Sequence, residues 1–452
     1  GGFMAGYTEQ GKSILFDFFC QTPSRKKSDK DLEFFPITVN FGTATEDFHI
    51  GAGAIGVPGS LAGFFSIYEN LCTLPLKVLA SPALEMAKYG VVVDNFQQYA
   101  HQLLEPILKQ HKEGRDLFFP KNQKLKEGET LCMPGFTDFL ETLVIEGKDL
   151  FYKGEVGQDL VKICNEYGGH INRDDLQNYQ TIIRDPLRFN YDHRQVITNP
   201  PPSKGGVLIA LMLKVMESHN QLFPPLSGPE LLHLQEIFSR AEGVRKSPHE
   251  FEAFKKQLHI SEKDQPLSPN KWGSTTHINV MDQKGNAVSI SSTNGEGCGH
   301  YIPGTNIAVN NMLGEAALFP HGFHLWEPNV RISSMMAPTL VLDKNQQVEM
   351  VMGSGGAGRI PFAITQVLHN LLEHKLELTQ AVENPRVFWR DGVINIEPGY
   401  DTQVDFPDEV KEVIEWEYKD MFFGGVHTIF CKNGELQAAG DSRRHGVALY
   451  AE

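Results

Sequence analysis

The sequence predicts a mixed α/β fold of the α+β kind, on three observations. From residue 60 to about residue 217, apolar residues recur at three- and four-residue spacing, the period of a helix with one buried face. From Thr275 onward the period changes to two, and glycine- or asparagine-rich turns separate short runs. The 452 residues are 41% hydrophobic and 21% charged, which is typical of a globular protein with a sizeable core.

The first part of the chain predicts strands and turns up to about residue 60, and then helices. Residues 13–18 are apolar and β-prone, and 51–59 is glycine-rich. The run 207–215 contains a single charge, Lys214, and suits a buried helix. Pro229 is well placed for the first turn of a further helix. Helices are predicted at 82–88, 96–109, 207–215 and 228–244.

The second part predicts mainly strands. Residues 283–286 form a turn between two alternating segments, as in a β-hairpin. One amphipathic helix is predicted at 360–374, with a shorter one at 379–383. Strands are predicted at 275–282, 287–293, 339–342, 348–352, 392–396, 427–431 and 436–439.

Charge and cysteine usage exclude several classes of function. A formal net charge of −15 argues against a nucleic-acid partner, and no apolar run reaches the length of a membrane span. The six cysteines are scattered without a Cys-x-x-Cys pair, which excludes a zinc ribbon or a thioredoxin-type site and predicts free thiols. The printed chain lacks an initiator Met, so we expect an incomplete N-terminus. The compartment, cytoplasmic or secreted, stays open.

The run Thr275-Thr276-His277 opens the predicted hairpin and is the chemically most informative segment. If the peptide bond between Ser274 and Thr275 breaks, Thr275 gains a free α-amine beside its own hydroxyl. One residue then supplies both nucleophile and base. The pKa of a free α-amine is about 8, close to working pH. Taken alone, the run is better explained as an ordinary β-hairpin with a strand threonine, until the other motifs are considered.

Further motifs follow in a fixed order along the chain. They are Gly1-Gly2-Phe3-Met4, Gly56-Val57-Pro58-Gly59, Asp175-Leu176, Arg184-Asp185-Pro186-Leu187, Pro200-Pro201-Pro202-Ser203-Lys204-Gly205-Gly206, Asn310-Asn311, Ser333-Ser334-Met335, 353–360 (GSGGAGRI), Asn384-Pro385-Arg386, Phe423-Gly424-Gly425-Val426-His427 and Asp441-Ser442-Arg443-Arg444. Together with the Thr275 run, this ordered set resembles the γ-glutamyltranspeptidase family, the threonine branch of the N-terminal-nucleophile (Ntn) hydrolases.

The resemblance covers nearly the whole chain and implies a four-layer α/β/β/α sandwich. It implies a precursor whose helix-rich part, 1–274, becomes the large subunit. The part 275–452 becomes the small subunit, with Thr275 at its N-terminus. The two parts are expected to interleave in one globular unit, as a heterodimer of the cleaved chains. Further homo-oligomers are left open.

The same resemblance assigns the catalytic residues. Thr275 is the expected nucleophile, released by cleavage after Ser274, and the hydroxyl of Thr293 is expected to orient it. The backbone N–H groups of Gly356 and Ala357 are the expected oxyanion donors. Ala357 stands where the family usually has glycine, a change that backbone donors tolerate provided that φ stays negative. The chemistry requires no metal and no organic cofactor.

Residues expected to bind the substrate are less complete. Ser333 and Ser334 match the pair that holds the α-carboxylate of a glutamyl group. The arginine that normally pairs with this carboxylate is missing, because Phe19 follows Asp17-Phe18. Losing a buried charged clamp removes on the order of 2–5 kcal/mol of carboxylate recognition.

The expected amine-binding residues are also altered. Glu315 falls at the last acidic position of the family's motif after Asn310-Asn311. Gly295 stands where an amine-binding asparagine is expected, with Asn294 adjacent to it. The polar shell for a free glutamyl group is therefore thinned. His277 is expected to be structural, because it lies two residues along the strand from Thr275.

The leading hypothesis is a self-processing threonine hydrolase. It would cleave γ-glutamyl or related acyl amides of small molecules through an acyl-enzyme, with water or an amine as acceptor. One alternative is a cephalosporin- or glutaryl-type acylase on the same scaffold, and another is a catalytically silent relative that serves as a binding scaffold. A third alternative is a dinucleotide-dependent enzyme, because residues 353–358 match Gly-x-Gly-x-x-Gly, a dinucleotide-binding fingerprint.

Overall fold

The computed structural model of the chain describes residues 1–40, 45–258, 260, 275–319, 322–432 and 434–451. Ser274, the expected cleavage position, lies outside the described residues, directly before Thr275. Across the described ranges, no helix combines the length and the apolar character that crossing a bilayer requires.

The described residues form strands that are concentrated at both ends of the chain. They are β1 Gly2–Tyr7, β2 Ser13–Asp17, β3 Phe35–Asn40, β4 Thr45–Ile50, β5 Val91–Val92, β6 Thr130–Leu131, β7 Ile182–Arg184, β8 Leu187–Tyr191, β9 Arg194–Thr198, β10 Thr275–Met281, β11 Ala287–Thr293, β12 Tyr301–Ile302, β13 Ile307–Ala308, β14 Thr339–Leu342, β15 Val348–Gly355, β16 Val387–Arg390, β17 Val393–Ile396, β18 Glu412–Glu415, β19 Gly425–Lys432 and β20 Glu435–Ala439.

Helices fill the middle of the chain, and two more lie between β15 and β16. They are α1 Ser60–Leu71, α2 Leu76–Tyr89, α3 Asn95–Leu103, α4 Glu105–Leu108, α5 Lys112–Phe118, α6 Pro134–Glu146, α7 Asp149–Tyr152, α8 Glu155–Glu166, α9 Arg173–Gln177, α10 Gly205–His219, α11 Gly228–Lys246, α12 Pro248–Gln257, α13 Ile360–Leu372 and α14 Leu378–Glu383.

Two antiparallel sheets make up the centre of the molecule. The five-stranded sheet has the order β10-β11-β1-β2-β7, and the six-stranded sheet has the order β20-β19-β15-β14-β9-β8. Each sheet takes strands from both sides of position 274. Neither sheet is therefore complete without both parts of the chain.

The two sheets face each other and helices cover their outer faces. Strands β10 and β11 pack on β15, and the facing backbones approach closely at glycines. A Cβ at Gly353 would lie 2.1 Å from the ring of His277, too close for any side chain. Helices α10 and α13 pack on the six-stranded sheet, and α1 packs on β2. The predicted α/β/β/α sandwich is confirmed.

Most predicted elements are confirmed, with three corrections. The region predicted as helical contains strands β7, β8 and β9. In β8 the residues alternate buried and exposed, so its period is two. A helical period over the long surrounding region had masked these short strands. Helix α2 begins at Leu76, before the predicted 82, with Pro82 inside it.

The third correction concerns α13, which was predicted to be amphipathic. All of its residues are buried, so it is enclosed on every side. Two of its polar side chains bond to backbone groups: Gln366 donates to the carbonyl of Val387 (3.1 Å), and Asn370 donates to that of Ala381 (3.1 Å). All six cysteines are free thiols, as predicted.

A buried ion-pair network joins three of the sequence motifs. Arg443 pairs with Glu397 through two hydrogen bonds (Nε to Oε1, 2.7 Å; Nη2 to Oε2, 2.5 Å) and with Asp441 (3.2 Å). Arg386 donates to the other oxygen of Asp441 (2.5 Å), which also accepts the N–H of Val426 (2.8 Å). Two cations balance two carboxylates, so removing one charge leaves another buried without compensation.

Replacing Asp441 with Asn is expected to lower the free energy of unfolding by about 3–5 kcal/mol, measured by urea denaturation at pH 7. Burial alone would raise the pKa of Asp441, but Arg386 and Arg443 lower it. The carboxylate therefore stabilises the fold above the unfolded pKa of about 4, and this contribution is lost as the pH falls below it. The exposed pair of Lys162 with Asp159 supplies the control: Asp159→Asn should change stability by no more than about 0.5 kcal/mol. Equal effects of the two variants would contradict a stabilising role for the buried network.

Candidate active site

One pocket brings together predicted site residues from five separate regions of the sequence. The cavity that these residues enclose is small, with a volume of about 50 Å³, and it opens to solvent. Its lining residues are Phe19, Thr275, Thr293, Gly295, Met312, Glu315, Leu318, Ser334, Met335, Met336, Ala357 and Ile360.

Thr275 and Thr293 lie directly opposite each other on the paired strands β10 and β11. Side chains of a cross-strand pair point to the same face, and both line the pocket. The Oγ1 of Thr293 accepts the N–H of Gly295 (3.1 Å), which fixes its rotamer. The backbone of Thr293 exchanges two hydrogen bonds of 2.8 Å with Gly1. The N-terminal strand thus sets the position of Thr293.

The facing sheet holds Thr275 from the other side. A Cβ at Gly355 would lie 2.4 Å from the carbonyl oxygen of Thr275, so only glycine permits this approach. Gly424 is equally restricted, because a Cβ there would lie 2.9 Å from the carbonyl oxygen of Gly355. The hydroxyl of Ser354 accepts the N–H of Gly425 (3.2 Å) and donates to the carbonyl of Gly355 (2.7 Å).

The loop after β15 has the geometry of an anion site. Gly356 has a φ of 120° and Ala357 a φ of 50°, and a 3₁₀ turn, Ala357–Arg359, leads into α13. Within the described part of the chain, neither the Gly356 nor the Ala357 N–H donates a hydrogen bond. Unsatisfied N–H groups and the helix dipole favour negative charge at this point.

This loop corrects one expectation and weakens one alternative. Ala357 was expected to be tolerated on the condition of negative φ, yet it adopts the left-handed region. An L-residue pays roughly 1–2 kcal/mol there, so the alanine is tolerated under strain. Strand β15 is antiparallel to both β14 and β19. The glycines therefore do not belong to the parallel βαβ unit of a dinucleotide site.

His277 is committed to structural contacts. Its Nδ1 lies 2.7 Å from the hydroxyl of Ser291, and its Nε2 lies 2.9 Å from the side-chain oxygen of Asn279. Burial lowers the pKa of His277 to about 3, so the ring is neutral at working pH. These contacts agree with the structural role that we expected.

The expected carboxylate-binding serines are only partly available. The hydroxyl of Ser333 donates to the carbonyl of Pro202 (2.7 Å), and Ser333 does not line the pocket. Ser334 does line it. The Oγ of Ser334 accepts the N–H of Met336 (3.0 Å), a bond that leaves its hydroxyl hydrogen to point elsewhere.

Arg331 does not replace the missing clamp. Its guanidinium donates to the carbonyl of Phe19 and to the hydroxyl of Tyr179, and lies over the Tyr179 ring at 4.7 Å. Its Nε is 3.4 Å from Asp17, which also pairs with Arg184 (2.8 Å). The ring of Phe19 occupies the pocket wall and stacks on Phe3, with 5.5 Å between centroids.

The two expected amine-binding residues are separated. Glu315 is buried and lines the pocket, with its carboxylate beside Gly295. Asn294 is exposed, donates to the carbonyl of Ala308 (3.0 Å) and does not line the pocket. Five further apolar residues line the pocket and were not predicted from the sequence. Their only sequence signal is that they lie close to the motifs. They are Met312, Leu318, Met335, Met336 and Ile360.

Replacing Ala357 with Gly is expected to raise the free energy of unfolding by about 0.5–1 kcal/mol, because it removes the left-handed strain. Ala363→Gly, inside α13, is the matched control and should lower it by about 1 kcal/mol or more. Urea denaturation of both variants checks the opposite signs. Destabilisation by Ala357→Gly would contradict the strained geometry.

Comparison with known proteins places the chain among enzymes. A family model described as gamma-glutamyltranspeptidase matches residues 1–247 and 223–451. The glutathione hydrolase proenzyme of Bacillus subtilis (strain 168) is 26% identical over 499 residues, covering 99% of this chain and 83% of that protein. The acylase ACY 1 proenzyme of Pseudomonas sp. (strain SE83) is 30% identical over 371 residues, covering 77% and 66%.

The fold has a close counterpart among solved structures. The cephalosporin acylase from Bacillus halodurans matches with a TM-score of 0.79 at 21% identity, covering 100% of this chain and 87% of that one. The family match and this structural likeness both cover the two large sheets and the residues that line the pocket. The chain belongs to the γ-glutamyltranspeptidase family of enzymes.

Proposed function

We propose that the protein is a self-processing hydrolase that cleaves acyl amides through an acyl-enzyme on Thr275. The observation that carries the proposal is the position of Thr275 at the start of β10, in a pocket that also contains Thr293 and Ala357. A nucleophile, an orienting hydroxyl and a pair of backbone donors are the parts that acyl transfer requires.

Maturation is the first step of this proposal. The Oγ of Thr275 attacks the carbonyl carbon of Ser274, and the C–N bond breaks as the Oγ proton passes to the nitrogen of Thr275. Water then hydrolyses the resulting ester and leaves a carboxylate on Ser274 and a free amine on Thr275. Two relatives carry the word proenzyme in their names, which supports such a step. The two pieces, 1–274 and 275–452, stay associated because each large sheet contains strands of both.

Turnover uses the same atoms. The neutral α-amine of Thr275 accepts the Oγ proton as Oγ attacks the amide carbon of the substrate. The N–H groups of Gly356 and Ala357 stabilise the oxyanion that develops. The leaving amine takes the proton and departs, which leaves an ester on Oγ. Water, or a second amine, then attacks this ester with the α-amine as base, and the enzyme is restored.

The pocket favours an acylase over an enzyme specific for γ-glutamyl groups. Seven of its twelve lining residues are apolar, and among the lining residues the single ionisable side chain is a carboxylate, Glu315. Among the described residues that line the pocket no side chain is cationic, so burying a substrate carboxylate there costs binding energy. We therefore propose that acyl groups without a carboxylate are the preferred donors, and that Glu315 accepts a substrate amine.

Thr275→Ala tests the nucleophile. Denaturing mass spectrometry of the wild-type protein is expected to show two polypeptides that begin at residues 1 and 275, whereas the variant stays intact. Its kcat on an acyl anilide should fall by at least about 10⁴-fold. Thr276→Ala is the matched control, because Thr276 is exposed and should leave both cleavage and kcat unchanged. Cleavage and turnover of Thr275→Ala at wild-type levels would refute the proposal.

Four p-nitroanilides separate the donor preferences: γ-glutamyl, glutaryl, 4-aminobutyryl and butyryl, which carry both charges, the carboxylate, the amine or neither. We expect kcat/KM to be at least about tenfold higher for the two donors without a carboxylate. Glu315→Gln should lower the value for 4-aminobutyryl and leave that for butyryl unchanged. A preference for either donor with a carboxylate, γ-glutamyl or glutaryl, would contradict the proposed donor preference while leaving the role of Thr275 intact.

A further inference from the structure

We propose that Glu230, His369 and His374 form a binding site for a divalent transition-metal ion of the zinc class. Glu230 lies in the first turn of α11, and the two histidines lie at the end of α13 and just beyond it. Ile360, at the start of α13, lines the Thr275 pocket, and nine residues of helix separate it from His369 by about 14 Å. The metal site is therefore distinct from the candidate active site.

The three side chains converge with suitable geometry. Nε2 of His374 lies 2.5 Å, and Nε2 of His369 lies 3.6 Å, from Oε1 of Glu230. The ligand atoms of the three residues all lie within 4.8 Å of one another. Ligand atoms around tetrahedral zinc are about 3.3 Å apart, given bond lengths near 2.1 Å. The longer contact fits directly, and the shorter one needs to open by less than about 1 Å.

The donor set and its support are those of a metal site. Two imidazoles and one carboxylate with an open fourth position are a known ligand set for zinc. The two rings are nearly perpendicular, at 72° with centroids 4.5 Å apart, so their nitrogens can converge on one point. The second oxygen of Glu230 accepts the N–H of Leu226, which orients the carboxylate. All three side chains are buried, so an ion would be largely shielded from solvent.

A neighbouring cavity gives access to the site and an attractive field. His369 lines this cavity, which can supply the water for the fourth position. Three acidic side chains, Asp192, Glu217 and Glu373, and one basic side chain, Lys375, also line it. The excess of negative charge raises the local concentration of cations.

Two other groups of potential ligands fit less well. In the group of Glu33, His111 and His300, the imidazole rings are stacked at 3.8 Å and 30°, so their nitrogens do not point to a common centre. The Oε2 of Glu33 is also shared between His300 and the N–H of Ala52. The third group includes Glu236, whose side chain is 62% exposed.

The ion would join α11 to α13 and so brace the helix that begins at the Gly356–Ala357 loop. The test uses the full chain, freed of any affinity tag and treated with a chelator. We expect one equivalent of Co²⁺ to produce the absorbance of a tetrahedral complex, Zn²⁺ to displace it, and Zn²⁺ to raise Tm. His374→Gln and His369→Gln should each weaken Co²⁺ binding by more than about tenfold.

His300→Gln is the matched control, since it makes the same substitution in the competing group and should leave Co²⁺ binding unchanged. The side-chain amide that His374→Gln introduces can still donate to Glu230. Circular dichroism of each variant without metal checks that it folds. The absence of stoichiometric binding by the wild-type protein would overturn the proposal. So would unchanged binding by both His374→Gln and His369→Gln, or loss of binding in His300→Gln alone.

Discussion

The pairing of Thr275 with Thr293 and the close packing of both strands on a glycine-rich strand determine the geometry of the pocket. Thr293 is held through its backbone by Gly1, and the carbonyl of Thr275 rests against Gly355 at a distance that excludes any side chain. Three distant segments of the chain therefore position one hydroxyl group. The constraint acts almost entirely through backbone atoms, which explains why glycines dominate the motifs around it.

The buried ion pairs extend this constraint to the Gly356–Ala357 loop. Asp441 accepts the N–H of Val426, and Arg386 donates to the carbonyl of Gly424 (3.2 Å). These bonds fix the beginning of β19 against Gly355, immediately before the loop at Gly356. Buried charged residues that do not line the pocket therefore hold the strand next to the Gly356–Ala357 loop. The same loop starts α13, whose opposite end carries the histidines of the proposed metal site.

The sequence predicted an element correctly where the spacing of its apolar residues and its flanking turn residues match the burial seen in the structure. Strands β11 and β14 have the predicted bounds. The residues of β11 alternate in burial, whereas β14 is a short, fully buried run that turn residues follow. The short strands β7, β8 and β9 were missed. Strands β7 and β9 pair with β2 and β14, more than 100 residues away, and among the described strands β8 pairs only with β9. The positive φ of Ala357 and the apolar pocket wall were also not predictable. A methionine or leucine near a motif has no chemical signature, and only the tertiary contacts reveal which face it occupies.

The contrast between a retained reaction core and an altered recognition shell follows from the atoms that each uses. In the proposed mechanism, the base is an α-amine and the oxyanion donors are peptide N–H groups, which most residue types provide. Only the hydroxyl of Thr275 must be preserved as a side chain. Recognition of the acyl group, in the same proposal, depends on side chains that line the pocket, such as Phe19, Glu315 and Ser334. These can change one at a time without moving the backbone, and Phe19 stands where the sequence resemblance leads us to expect a charged clamp. A family built in this way can change its substrates while its chemistry stays the same.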